Sequence, residues 1–131
     1  MFLLVMQGYA SQYAPGVMER VVNVRQRNGS LPDDLPNVDG YAAVPDCSNI
    51  GDTFLARPEG EDEWEKFLAV DCGCPQGYRF LMSLLPWDAS ETQRRFAAIE
   101  VDYMTAVRWN TVGRGVEIEV AIPLDVRKDL E

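Results

Sequence analysis

The chain has 131 residues, 47% hydrophobic and 25% charged, which fits one globular domain over 1–131 and argues against a disordered segment. Its net charge of −9 repels phosphate backbones, so nucleic acid is not an expected partner. Histidine is absent, which removes the commonest general base and metal ligand, and no run approaches the roughly 20 apolar residues of a membrane-spanning helix.

The opening Met1-Phe2-Leu3-Leu4-Val5-Met6 is shorter than the apolar core of a signal peptide and lacks its basic flank and cleavage site. It reads as the start of a strand over 2–13 that ends at Pro15-Gly16. Residues 19–26, ERVVNVRQ, alternate and predict a second strand stopped by Asn28-Gly29. Residues 30–40 read as loop, and 41–44, YAAV, as a short buried strand. Residues 53–57 and 65–71 flank the turn Glu59-Gly60-Glu61-Asp62 and predict a hairpin.

Residues 73–96 form the longest irregular stretch, holding Trp87 and a short helix starting after Asp88 or Ser90. Residues 97–102 predict a further strand. Asp102 can cap a helix over 103–109, with Met104, Val107 and Trp109 as its apolar stripe and Gly113 and Gly115 as its stop. Residues 116–122 alternate strictly, which puts Val116, Ile118, Val120 and Ile122 on one face of a last strand. Short strands with Gly/Pro-rich turns and one late helix point to an all-β fold, a small closed barrel.

Three cysteines are present: Cys47, Cys72 and Cys74. Cys47 with Cys72 or with Cys74 would close a loop of 25 (72−47) or 27 (74−47) residues, and the alternative is three reduced thiols. A zinc site would lack its fourth ligand. The acidic turn at Glu59, Glu61, Asp62, Glu63 and Glu65 matches no calcium loop and reads as a solvated turn. No metal and no cofactor is expected.

Gly8-Tyr9-Ala10-Ser11-Gln12-Tyr13-Ala14-Pro15-Gly16 resembles the opening "G-x-A-S-x-Y-x-x-G" strand of the double-psi β-barrel family of rare lipoprotein A, barwin and the expansins. Tyr41-Ala42-Ala43-Val44, Ile50 to Leu55 and Leu68-Ala69-Val70-Asp71-Cys72-Gly73-Cys74-Pro75 resemble "A-A-H … L-P-x-G-T-x-V … V-x-V-x-D-R-G-P". Ile99 to Val107 resembles the junction "I-x-D-L-S-x-x-A", and Gly113 to Val120 the closing strand. The resemblance runs in order along most of the chain. It implies a six-stranded double-psi β-barrel with one short helix after the fifth strand.

It also implies a glycan ligand, polysaccharide or peptidoglycan, and a place outside the cell or in its envelope. Asp71 falls on the catalytic aspartate of the lipoprotein's lytic transglycosylase motif, and Asp102 on the general acid of the expansin-related endoglucanases. A carboxyl whose pKa is raised can deliver a proton to a glycosidic oxygen. Tyr13, Tyr41, Asp46 and Trp87 are the expected substrate-binding residues, with Trp64 as another stacking candidate and Trp109 as core. Val44 stands where the family has histidine, Cys72 where it has arginine, and the first strand carries no aspartate. These departures set three expectations side by side: a lytic or hydrolytic enzyme, a non-catalytic expansin-like binding module, and a structural barrel of a phage or secretion assembly.

Overall fold

The computed structural model describes residues 2–73 and 91–124. Strand β1 (Phe2–Gln12) leads into helix α1 (Val17–Arg27), β2 (Gly40–Val44), a 3-10 turn at Cys47–Asn49, β3 (Thr53–Pro58) and β4 (Glu65–Cys72). Helix α2 (Glu91–Ala97), β5 (Ala98–Val101), helix α3 (Tyr103–Trp109) and β6 (Val116–Leu124) complete the order. The six strands form one sheet in the order β1-β5-β2-β4-β3-β6, and β6 returns to β1, so the sheet closes on itself. Two of its six pairings are parallel, β1 with β5 and β2 with β4, and the other four are antiparallel.

Strand β1 alternates as a half-buried strand does. Met6, Gly8 and Ala10 face in, while Leu3, Val5 and Gln7 face out. Strand β6 matches its expected face, with Ile118, Val120 and Ile122 buried and Val116 packed against them. Phe54, Phe67 and Phe96 fill the centre, with ring centroids 5.8 Å (Phe54 to Phe67) and 5.0 Å (Phe54 to Phe96) apart.

The segment 19–26 is not a strand but the body of α1. Read at 3.6 residues per turn, Met18 and Val22 share one buried face, whereas Val24, which completes the alternation, is 51% exposed. Gly16, in the left-handed region at φ 75°, turns the chain after Pro15 into the helix. Glu19 in the first turn and Arg25 and Arg27 in the last complement the helix dipole. Met18 and Val22 pack with Leu31 on Leu68 and Val70, which point outward from β4. Strand β4 is therefore covered on both faces, which is why Phe67-Leu68-Ala69-Val70 is a continuous apolar run.

Two other expectations change. The helix at 103–109 buries Thr105 and Ala106 and half-buries Trp109, leaving Met104 59% and Val107 46% exposed. Asn110, at φ 58°, caps it three residues before Gly113, its N–H donating to the carbonyls of Ala106 and Val107. The sheet thus carries three short helices among the described residues, where the sequence predicts a short helix after residue 88 and one at 103–109.

Candidate functional site

Asp71 lies near the end of β4, at a break in its pairing. Ala42 and Ala43 of β2 pair with Ala69 and Asp71, so Val70 has no residue opposite it. Such a bulge interrupts the alternation and re-aims the side chains beyond it. Phe67 and Ala69 face the interior, but Asp71 turns to α1, where Arg25 Nη2 donates to its Oδ1 at 2.8 Å. The hydroxyl of Tyr13, just past β1, donates to Oδ2 at 2.7 Å. Tyr13 is held in place by its own N–H, which donates to the carbonyl of Val101 at 2.9 Å.

Burial alone would raise the pKa of Asp71. The hydrogen bonds from Arg25, Tyr13 and the Cys72 N–H, with the charge of Arg25, outweigh it and hold the carboxyl below its ordinary value. Burial and the bond to Asp71 push Tyr13 well above the ordinary phenol range. Near neutral pH the pair is therefore a carboxylate and a phenol, an acceptor and a donor. A groove of about 480 Å³ runs beside them, bordered by Val17, Val21 and Val24 of α1, by Arg20 and Arg25, and by Asp71.

Of the cysteine arrangements left open, Cys47–Cys72 is the one formed, with Cα atoms 4.9 Å apart. It ties the 3-10 turn to β4 at the residue after Asp71. Cys74 lies outside the described residues, as does Trp87. Asp46 caps the turn, accepting from the Ser48 N–H at 2.9 Å and its hydroxyl at 2.7 Å. Those two bonds lower its pKa, and Arg95 lies 3.4 Å from its other oxygen. Asp46 thus neighbours the disulfide but is engaged in its own turn.

Asp102 is 6% exposed and fully engaged. Its Oδ1 accepts from the Tyr41 N–H at 3.0 Å and from Thr105 Oγ1 at 2.7 Å, and its Oδ2 from the Thr105 N–H at 3.2 Å. It caps α3 and fastens that helix to β2, with the Asp102 N–H donating to the Tyr41 carbonyl at 3.0 Å. Asp71, on β4, and Asp102, the residue after β5, belong to segments on opposite sides of β2, and each has its own set of partners. Tyr41 is half-buried against the cluster beneath α1, as is Tyr13.

A second cleft of about 710 Å³ lies between Trp64, Trp109, Asp39, Glu65 and Arg108. Its aromatic groups have partners within the chain. The Arg57 guanidinium lies 4.0 Å over the Trp64 ring, and Trp109 meets Phe67 edge-on at 5.6 Å and donates its indole N–H to Glu65. Arg108 Nε donates to the same carboxylate at 2.6 Å. Trp109 is a core-packing residue, as expected.

The structure brings together Tyr13 and Asp71 of the expected site residues, with Cys72 beside them. It adds Arg25, which the strand-like spacing of its segment hides. The available signal is the pair Arg25 and Arg27 in the last turn of a helix-length segment. No protein-family model matches the chain, and no curated protein is similar enough to count as a match.

Proposed function

We propose that this protein is a double-psi β-barrel that binds a cell-wall type polysaccharide without cleaving it. The observation that carries the reading is the Tyr13–Asp71–Arg25 cluster, of which Asp71 and Arg25 border the α1 groove. Aligned donors and acceptors beside an apolar wall suit a sugar, which offers hydroxyls at its rim and C–H groups on its faces. The two parallel pairings in an otherwise antiparallel closed sheet support the double-psi assignment, as does the meeting of Tyr13 and Asp71 from the two resembling motifs.

The chemistry favours binding over cleavage. A general acid must hold a proton near the working pH, yet Asp71 is held ionised by Arg25 and Tyr13. Asp102 is buried and committed to capping its helix, its carboxylate accepting from Tyr41 and Thr105. The Cys47–Cys72 disulfide supports an oxidising compartment, the cell exterior or envelope.

The test is retention on insoluble peptidoglycan, cellulose and chitin, with the supernatant assayed for reducing ends and anhydro-sugars. Retention on at least one polymer without products is expected, and Tyr13→Phe and Asp71→Asn should each weaken it about tenfold, the loss of one charge-assisted hydrogen bond. No retention on any of the three would sink the reading, and products that vanish in Asp71→Asn would replace it with an enzyme.

A further inference from the structure

The molecule carries a net charge of −9, yet a few elements have the opposite sign, and among the described elements α1 has it most strongly. Helix α1 bears Arg20, Arg25 and Arg27 against a single acid, Glu19. Arg25 is committed to Asp71, and Arg27 Nε donates at 3.4 Å to the carbonyl of Asn23 within the helix. Arg20 is exposed, and among the described residues its guanidinium has no ion-pair or hydrogen-bond partner. It borders the same groove as Val17, Val21 and Val24.

The spacing matters. Val17, Val21 and Val24 stand at i, i+4 and i+7 and form one apolar stripe along the helix. Arg20, four residues before Val24, lies on the flank of that stripe. An apolar strip beside one uncommitted guanidinium complements a sugar ring that carries a carboxylate. The ring's C–H face lies on the valines, and the planar fork of the arginine takes the carboxylate through two parallel hydrogen bonds. Neutral sugars have no use for that charge.

We propose that the α1 groove selects an acidic polysaccharide, one whose sugars bear carboxylates, and that Arg20 binds the carboxylate. This rests on the glycan-binding reading above and adds to it the charge class of the ligand. Charge complementarity is the reason for the choice: on a chain of net charge −9, α1 carries three arginines against one glutamate, so a polyanion finds a local attraction at this groove.

The test measures affinity by titration calorimetry for four probes: oligogalacturonate, oligoalginate, a neutral chito-oligosaccharide of matched length, and poly-glutamate. Wild type and Arg20→Gln are compared, and Arg20 is exposed enough that the variant should melt at the wild-type temperature. Expected is tighter binding of the two uronates than of the neutral oligomer, with that preference falling about tenfold in Arg20→Gln and shrinking as sodium chloride is raised. Neutral binding with no preference for uronates, or a preference that survives Arg20→Gln, overturns the inference and leaves the glycan-binding reading standing. Binding of no sugar probe removes both. Poly-glutamate bound as tightly as the uronates, with the same dependence on Arg20, also overturns it, and makes α1 a surface for acidic peptides.

Discussion

At the scale of single residues, two aspartates of similar sequence setting come to opposite uses. Asp102 accepts three hydrogen bonds at a buried site, and a side chain added at Gly40 would collide with it, with Thr105 and with Phe67. Asp102→Ala removes a helix cap and leaves the Tyr41 and Thr105 donors without an acceptor. We expect a loss of about 2–3 kcal/mol, read from urea denaturation, and an undiminished m-value. A loss below about 0.5 kcal/mol would contradict this role.

Asp71 is the half-exposed counterpart, and its signature is a pH dependence. Its folded pKa lies below the unfolded value, so the stability it contributes is present above the unfolded pKa and is lost as pH falls through the folded one. Asp71→Asn should cost about 1–2 kcal/mol at pH 7, and much less once the pH has dropped below the folded pKa. Parallel stability curves for the two proteins down to pH 2 would show that Asp71 is not held ionised by Arg25 and Tyr13.

At the scale of elements, legibility depends on how many environments a segment has. Strand β6 buries Ile118, Val120 and Ile122 on one face and carries Glu117 and Glu119 on the other, where only Ala121 is buried, so the alternation in Val116 to Ile122 reads directly. The helix cap at Asp102 is equally local. Helix α1 reads as a strand because Val22 and Val24 mimic one over a few residues, whereas its true period appears only when Met18 is included. In α3 Thr105 is buried where Gly40 of β2 approaches it and Ala106 in the core inside the closed sheet, which no local pattern encodes. Arg25 stays hidden for the same reason, since its partner is 46 residues away.

The disulfide belongs to this scale because it joins two elements. Cys47–Cys72 pins the 3-10 turn to β4, and its closed loop of 25 residues contributes about 3–4 kcal/mol in the chain-entropy view. Replacing both cysteines by serine should lower the thermal midpoint by roughly 10–20 °C. A midpoint unchanged under reduction would mean the bridge adds nothing to stability.

For the whole molecule, the β-rich class and the six strands are legible in the residues, but so is a false seventh at 19–26, which is helix. The closure and the Tyr13–Asp71 meeting depend on pairings between distant segments. A bulge at Val70, invisible in the residues themselves, decides which way Asp71 looks. Asp71 and Asp102 can be matched one by one to motifs of the resembling family, but their separation by β2 cannot be read in advance.

The closed sheet also limits how this protein can be recognised. Each strand already has a neighbour on both sides along part of its length, and only stretches such as 2–8 of β1 and 122–124 of β6 are paired on one side alone. Strand addition, a common route by which β-proteins capture peptides and by which they polymerise, is thereby confined to short stretches of the sheet. Over the rest of the wall partners are met by side chains, and a ligand built of rings rather than of peptide bonds gives up nothing by that arrangement.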